Sequence, residues 1–408
     1  MKQGKIIKIE FENYRVFNKV KLDLDRCNVF VGPNASGKSS IADFLIFFRE
    51  LTSILNGKSA KHDYIFLLNF LKKAFRIGVD QPLIFELEVL IGDYLYKYSA
   101  EFFTKHDTKS VWANETFLIM QEKDRDIILK TTMEIIKGDF PKLECNMTFM
   151  GFGIVKEQNY SGAIEYITSS ILRKEHFQKL DDNSMKIINQ FYDFWNNIRI
   201  YDFNIYDKKK ICEESNISDE IILSEDFQNL MKVLLNLNFQ QTEIFNEINE
   251  WLVRLIPNFQ DLTVQTINKE GKAQLTFSEE GWHKRYAPLD QASDGIIRLL
   301  CILTILLNKE KPTLIILDEP ENGIHPALRY YVVDFSIAAS DDTQIIFLTH
   351  DSESLRHFDL EMIHYFKRKS GATEVKQLSD DKALIETMKA LNDIEKNTVV
   401  STHSSDSL

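Results

Sequence analysis

A phosphate-binding loop is the feature that most constrains the fold of this chain. Residues 32–39 read Gly-Pro-Asn-Ala-Ser-Gly-Lys-Ser and match the pattern Gly-x-x-x-x-Gly-Lys-Ser/Thr. Such a loop needs a strand before it and a helix after it, because its backbone N–H groups and the helix start together bind phosphate. The apolar segment Cys27–Val31 predicts that strand, and residues 39–55 predict that helix. The chain is therefore expected to adopt an α/β fold that binds a nucleoside triphosphate.

The residues of this loop are expected to bind ATP and Mg²⁺ through side chains and through the backbone. Lys38 is expected to reach the β- and γ-phosphates of ATP, and the Ser39 hydroxyl to ligate Mg²⁺. The remaining expected nucleotide contacts lie in the loop and just after it: Gly32, Pro33, Asn34, Ala35, Ser36, Gly37 and Ser40. ATP and Mg²⁺ are thus the predicted cofactors.

The composition indicates a large folded protein with an acidic surface. The chain has 408 residues, 44% of them apolar, so one large domain or two joined lobes is expected. Its net charge of −12 argues against a surface broadly coated for nucleic acid and leaves room for a local basic groove. The start lacks a signal-peptide core, and the longest apolar run, residues 299–307, is too short to cross a bilayer. No membrane span is therefore expected. The four cysteines match neither zinc nor disulfide spacing, which suits the reducing cytoplasm, so a cytoplasmic protein is expected: Cys27, Cys145, Cys212 and Cys301.

An apolar segment that ends in two acids supplies the second signal. Residues 314–317 read Leu-Ile-Ile-Leu and are followed by Asp318 and Glu319. A buried parallel strand has this composition, and its carboxyl end is where an open α/β sheet places its ligand. Asp318 is expected to hold Mg²⁺, and Glu319 to polarise the water that attacks the γ-phosphate. The alternative, acids that only cap a core strand, is disfavoured by the upstream loop.

A histidine ends the next apolar strand. Residues 344–349 predict another buried strand, and His350 follows it directly. A histidine at a strand end is usually structural. Here the histidine comes one strand after the Asp-Glu pair, where a neutral imidazole can form a hydrogen bond with the γ-phosphate and help place the attacking water. Lys38, Glu319 and His350 are the predicted catalytic residues.

The start of a further helix is open to two interpretations. Residues 291–295 read Gln-Ala-Ser-Asp-Gly and precede an apolar helix over 296–307. Ser293 is a good N-cap and Asp294 suits the first turn, which explains the segment without any function. Alternatively, the helix N-terminus and the Ser293 hydroxyl bind an anion presented by another chain, and Gly295 allows the close approach.

The order of these motifs resembles that of the ABC-type ATPase heads of the RecF, SMC and OLD class. The chain is most similar to short bacterial AAA-family ATPases with an LSDG-like signature and Glu-x-Gly-x-His-Pro after the Asp-Glu pair. Residues 291–295 match that signature, and residues 321–326, Glu-Asn-Gly-Ile-His-Pro, match the second segment. Residues 9–17 look like the opening Phe-x-Asn-Phe/Tyr-Arg-x-Phe of this class. The resemblance covers nearly the whole chain.

The resemblance implies a homodimer in which two heads sandwich two ATP molecules. Each P-loop then faces Ser293 and Gly295 of the other subunit, and Arg15 is expected to reach nucleotide or DNA. Two positions depart from the common pattern: Asp294 replaces a glycine, and His325 stands where many transporters have an aspartate. A Q-loop glutamine is not assigned; the candidates are Gln81 and Gln121.

The predicted fold is an α/β P-loop NTPase of ABC-head type, with a mixed β-sheet lobe, an antiparallel β meander and an inserted helical lid. Helical periodicity places Ile187, Phe191, Phe194 and Ile198 on one helix face. Strands are expected over 5–11, 16–24 and 28–31, a meander from 82 to 130, a hairpin over 262–267 and 273–277, and a last strand over 362–367. The expected units are the first part of the head (1–162), the helical lid (163–257), the second part of the head (258–375) and a C-terminal tail (376–408).

Two functional roles stay open at this point. One is an ATP-driven switch or sensor that works with a separate effector, a nuclease or a toxin, as in bacterial antiphage defence. The other is a RecF-like DNA-binding ATPase in DNA repair or maintenance. Neither a long coiled coil nor a nuclease within the chain is expected, because the helical block lacks sustained heptads and the residues after the last predicted strand lack an acidic metal constellation. Together with the acidic charge, these features favour the switch.

Overall fold

The computed structural model describes most of the chain. The described residues are 4–55, 70, 73–77, 81–104, 111–135, 142–149, 152–159, 181–213, 219–266, 273–281, 285–351 and 354–380. They form an eight-stranded sheet, a six-stranded sheet, a three-stranded sheet and several helices.

The elements alternate between sheets and helices along the chain. In chain order the strands are β1 (Lys5–Tyr14), β2 (Phe17–Asp23), β3 (Cys27–Val31), β4 (Leu83–Ile91), β5 (Tyr94–Thr104), β6 (Val111–Gln121), β7 (Ile127–Ile135), β8 (Lys142–Phe149), β9 (Phe152–Asn159), β10 (Ile198–Asp202), β11 (Phe259–Thr266), β12 (Ala273–Glu279), β13 (Ala287–Pro288), β14 (Leu314–Asp318), β15 (Gln344–Thr349), β16 (Ile363–Lys369) and β17 (Ala372–Gln377). The helices are α1 (Lys38–Leu55), α2 (Asp182–Asn196), α3 (Lys208–Ile211), α4 (Leu230–Gln240), α5 (Thr242–Leu255), α6 (Asp294–Leu307) and α7 (Pro326–Ala339).

The six-stranded sheet carries the motifs found in the sequence. Its order is β10-β14-β15-β3-β16-β17, and all neighbours are parallel except the antiparallel pair β16 and β17. Strands β3 and β15 are buried along their whole length, as expected for apolar strands covered on both faces. Because β3, β14 and β15 are parallel, their carboxyl ends meet at one edge of the sheet. The P-loop, the Asp-Glu pair and His350 all follow strands that end at this edge.

The eight-stranded antiparallel sheet shares a core with this central sheet. Burial alternates residue by residue along β4, so one face of the sheet is packed. Helix α1 lies on that face: the Phe44 ring is 5.0 Å from Phe85, and the Phe48 ring is 5.2 Å from Tyr98 and 4.5 Å from Trp195 of α2. Buried side chains of β3 and β14 belong to the same cluster. The helix that begins with Lys38 is thereby fixed between the two sheets.

A second apolar cluster joins α4, α5, α6 and α7 to the three-stranded sheet β11-β12-β13 and to central strands such as β14 and β15. Helix α6 is apolar on nearly all sides and is buried over residues 299–306, as a core helix requires. Its N-terminus, by contrast, is open to solvent, since Ser293 and Asp294 are exposed. The buried helix body holds this exposed end in a defined place.

Most predicted elements are confirmed, and three differ. The meander continues beyond its predicted end into β8 and β9. Ile198 begins β10 and does not continue a helix, because α2 ends at Asn196 and residues 198–202 pair with β14. A further strand, β17, follows the predicted last strand and pairs with it. Residues 163–180 of the predicted lid and residues 381–408 of the predicted tail lie outside the described residues.

Candidate nucleotide-binding site

The P-loop joins β3 to α1 in the predicted setting. Its backbone requires glycine at Gly37, where φ is +105° and an added Cβ would lie 2.7 Å from Val16 Cγ2. Lys38 opens α1, and its Nζ donates to the carbonyl of Gly32 at 2.6 Å and to that of Pro33 at 3.3 Å. The lysine is 7% exposed. Its ammonium group is therefore held inside the curve of the loop.

Neighbouring elements brace the loop from outside. The Thr373 hydroxyl donates to the carbonyl of Ser36 at 2.7 Å, and the Tyr14 hydroxyl donates to the carbonyl of Ser40 at 2.7 Å. At the tip of the loop, Asn34 is exposed. The loop is thus held in shape by side chains outside it, while its tip remains open to solvent.

Three carboxyl groups lie within electrostatic range of the lysine. Burial lowers the pKa of Lys38, while the charges of Glu319, Asp318 and Glu321 act in the opposite direction. The acid pair predicted after β14 therefore lies within electrostatic reach of the P-loop lysine. The structure brings together the residues that the sequence placed almost three hundred positions apart.

Asp318 has a second aspartate beside it that the sequence analysis missed. Asp202 ends β10 and is the register partner of Asp318 across the parallel pair. Burial raises the pKa of Asp318 to about 7, and the charges of Asp202 and Glu319 act in the same direction. Only the deprotonated carboxylate of Asp318 can bind a cation. The segment before Asp202 reads Ile-Arg-Ile-Tyr, a short strand pattern without the continuous apolar run found before Asp318, so its local sequence provides little signal.

Glu319 is held in an unusual backbone conformation and bonded on both carboxylate oxygens. Its φ is +52°, in the left-handed region that non-glycine residues seldom adopt. Oε1 lies 2.8 Å from His350 Nδ1, and Oε2 accepts from Asn322 Nδ2 at 2.7 Å. Burial raises the pKa of Glu319, but the hydrogen bonds from His350 and Asn322 outweigh it and lower the pKa. Glu319 is therefore ionised at neutral pH and oriented by two partners.

The segment that matched the signature forms the start of α6. The Ser293 side chain caps the helix by accepting from the backbone N–H of Ile296 at 3.3 Å. Asp294, which replaces the usual glycine, forms an ion pair with Lys208 at 3.5 Å. An added Cβ at Gly295 would lie 3.2 Å from the carbonyl oxygen of Gly323. In the described chain Ser293 and Gly295 form no hydrogen bond with the P-loop of the same subunit.

Arg15 lies beside α1. Its guanidinium pairs with Asp43 and stacks over the ring of Phe70 at 5.1 Å. The expected contact of Arg15 with nucleotide or DNA stays a prediction. His325 caps α7 through Nδ1, which accepts from the backbone N–H of Ala327 at 3.2 Å.

The two candidate Q-loop glutamines lie in the eight-stranded sheet region. Gln81 is 3.5 Å from the Asn13 side chain, before β4 begins. Gln121 ends β6 opposite Tyr94, at the end of the sheet away from Tyr14. Because Tyr14 marks the end of this sheet that touches the P-loop region, Gln121 is placed away from the site.

The donor set fits a magnesium ion bound together with phosphate. Mg²⁺ prefers oxygen ligands and is commonly held by one or two carboxylates plus substrate phosphates. Ser39, exposed at the start of α1, and Asp318 at the end of β14 supply a hydroxyl and a carboxyl oxygen. Among the described residues, no group of three or more His, Cys, Asp and Glu side chains could hold a metal alone. Phosphate oxygens and water would complete the coordination.

A comparison with protein families assigns the chain. A family model described as "AAA ATPase domain" matches residues 5–354. This match covers far more than half of the chain, so the protein belongs to the AAA ATPase domain family. A search of curated proteins finds no significant match. In the part of the chain that the structure describes, no helix is long and apolar enough to span a membrane.

Solved structures of SMC heads are similar to this chain at low sequence identity. The Smc head bound to the C-winged helix domain of ScpA is 15% identical, with 91% of this chain and 97% of that chain covered and a TM-score of 0.47. An Smc head with an extended coiled coil, bound to the C-terminal domain of ScpA and derived from Pyrococcus furiosus, is 14% identical, with coverage of 96% and 100% and a TM-score of 0.43. The SMC head domain from Thermotoga maritima is 12% identical, with coverage of 91% and 98% and a TM-score of 0.40.

Proposed function

We propose that this protein hydrolyses ATP at the edge where β3, β14 and β15 end. The observation that carries the proposal is the pair formed by Glu319 Oε1 and His350 Nδ1, 2.8 Å apart, beside Lys38 of the P-loop. A positioned carboxylate near a phosphate-binding lysine is what in-line attack of water on a γ-phosphate needs. The family assignment supports the same reaction.

Each of these residues has a defined task in the proposed reaction. Lys38 exchanges the carbonyls of Gly32 and Pro33 for the β- and γ-phosphates. Glu319 accepts a proton from the attacking water, and His350 holds the carboxylate in the required orientation. Ser39 and Asp318 would hold Mg²⁺, which neutralises phosphate charge when bound.

We further propose that Ser293 acts on ATP bound by a second copy of the chain. It is exposed at the N-terminus of a fourteen-residue helix, α6, and is not bonded to its own P-loop. A helix start of this kind favours an anion. Two copies that face each other would then form two composite sites, each with one P-loop and one α6 start.

Mixed dimers test this arrangement. Ser293→Arg is expected to keep ATP binding and lose turnover. The longer arginine side chain would obstruct the γ-phosphate of the ATP that the partner subunit binds, while the P-loop of its own subunit stays unchanged. When Ser293→Arg and Lys38→Ala proteins are mixed, each mixed dimer has one intact composite site. Equal mixing should restore roughly a quarter of wild-type ATPase activity in a symmetric dimer. An inactive mixture, with subunit exchange confirmed by native mass spectrometry, contradicts the arrangement.

We propose that ATP occupancy acts as a switch for a separate effector, a nuclease or toxin, in a bacterial antiphage defence system in the cytoplasm. The net charge of −12 is unsuited to non-specific coating of nucleic acid. A switch requires a partner that binds the two states with different affinity. The closed ATP-bound dimer and the open form supply two such states.

A RecF-like DNA-binding function is the second candidate, and one local feature favours it. The end of the β16–β17 hairpin exposes Lys367, Arg368 and Lys369, and Arg76 donates to the Gly371 carbonyl at 3.5 Å. This basic group lies close to the P-loop, since Thr373 of the same hairpin bonds Ser36. Basic side chains of this kind bind phosphate backbones.

Pull-downs from the native host separate the two candidates. Glu319→Gln and Lys38→Ala proteins serve as baits for the ATP-bound and ATP-free states. The switch predicts that a distinct effector is retained by one bait more than by the other. If neither bait retains an effector, and the ATP-locked form binds duplex DNA tightly at physiological salt, the DNA-binding function replaces the switch.

A further inference from the structure

A buried carboxyl group links the two strand ends that carry the catalytic pair. Glu321 follows Glu319 by two residues and is 2% exposed. Thr349 is fully buried, ends β15 and immediately precedes His350. The Thr349 hydroxyl donates to Glu321 Oε1. One hydrogen bond thus joins the backbone segments that hold Glu319 and His350.

The Thr349 hydroxyl is fixed in direction from both sides. Its oxygen accepts from the backbone N–H of Asp351 at 2.9 Å, while its hydrogen is directed to Glu321. Asp351 is held in turn by Arg329 of α7 at 2.9 Å and by the Ser354 hydroxyl at 2.8 Å. Because each group is bonded to the next, a shift of Glu321 is transmitted to the backbone that carries His350.

The surroundings of Glu321 are costly for a carboxyl group. Burial raises its pKa to about 7 against the lowering effect of the Thr349 hydrogen bond, and the charges of Asp351 and Glu319 add to the rise. Asp318 and Lys38 also lie within electrostatic range. Oε2 has no hydrogen-bond partner among the described residues. Holding a carboxyl group in such surroundings costs free energy.

We propose that Glu321 is a positioning residue for ATP hydrolysis, which keeps His350 Nδ1 within hydrogen-bond reach of Glu319 Oε1 through the Thr349 hydroxyl. The inference rests on the proposed ATPase function. What Glu321 supplies is an acceptor oxygen in a fixed place. The side-chain carbonyl of glutamine has the same reach and can accept the same hydrogen bond.

Steady-state ATP hydrolysis by the full chain tests the proposal. Glu321→Gln keeps the acceptor and is expected to retain kcat within about threefold of wild type. Glu321→Ala removes it and is expected to lower kcat by roughly ten- to a hundredfold, with ATP affinity unchanged, because misplaced catalytic groups affect the transition state and not ground-state binding. Calorimetric titration with ATP separates the two effects.

Threonine variants of the same strand region supply the partner and the control. Thr349→Val is expected to lower kcat as Glu321→Ala does, and the double variant no further, since both remove one interaction. Thr343, just before β15, is also fully buried, and its hydroxyl donates to the Pro312 carbonyl at 2.5 Å. Thr343→Val loses a comparable buried bond at the other end of the strand and should keep the wild-type kcat.

Three results would overturn the proposal. They are wild-type kcat in folded Glu321→Ala protein, an equal loss of kcat in Thr343→Val, and a loss in Glu321→Gln as large as in Glu321→Ala. If Glu321→Ala does not fold, the comparison of Thr349→Val with Thr343→Val decides in its place. A wild-type chain that does not hydrolyse ATP would instead refute the proposed function, so the two failures are distinguishable.

Discussion

Replacement of Lys38 with alanine is expected to abolish ATP binding. The variant loses the ammonium group that sits in the curve of the P-loop, bonded to the carbonyls of Gly32 and Pro33. Charge-assisted bonds to phosphate are among the strong ones in proteins. We expect the Kd for ATP to rise at least about a hundredfold, which corresponds to roughly 2.7 kcal/mol. Calorimetric titration with ATP and Mg²⁺ measures this change.

Lys311→Ala is the matched control for this experiment. The Lys311 side chain is 8% exposed and pairs with Asp342 at 3.0 Å. It lies just before β14, at the opposite end of that strand from Asp318. This variant also loses a well-covered lysine and should bind ATP as the wild type does. Unchanged ATP affinity in Lys38→Ala would show that the P-loop lysine has been given the wrong role.

Replacement of Glu319 with glutamine is expected to stop turnover and keep ATP bound. Glutamine preserves the shape of the side chain but cannot accept the proton of the attacking water, so kcat should fall by about a thousandfold. ATP should then persist and hold two heads together, which light scattering after gel filtration detects as a dimer. Glu310→Gln, an exposed surface change after α6, is the control and should behave as wild type. Hydrolysis by Glu319→Gln at the wild-type rate would refute its assignment as the base.

Sequence reasoning predicted those parts of the candidate site in which a motif is continuous along the chain. The P-loop and the Asp318-Glu319 pair are runs of neighbouring residues, so the local pattern fixes both the strand and the functional group that follows it. The structure confirms the strand, loop and helix around Lys38. His350 was predicted in the same way, because it directly follows β15.

The parts that sequence reasoning missed depend on pairings between distant segments. Asp202 meets Asp318 only because β10 pairs with β14, and no local pattern specifies that neighbour. Ile198 fits a helix by its spacing but lies in β10, since tertiary pairing overrides a local preference. The bond between Thr349 and Glu321 joins two separate motifs, and the local pattern of neither motif specifies it.

The contacts that support the P-loop also determine when the site can form during synthesis. β3, which leads into the loop, pairs with β15 and β16, and Thr373 bonds the carbonyl of Ser36 across 337 positions. Segments this far apart in sequence meet late, because the entropy of closing a long loop is lost before any contact is gained. The ribosome therefore completes the loop early, whereas the supports from β15, β16 and Thr373 are made much later. A nascent chain carries a P-loop sequence long before it carries a formed P-loop, and nucleotide can stabilise the fold only after the segment that includes Thr373 has emerged.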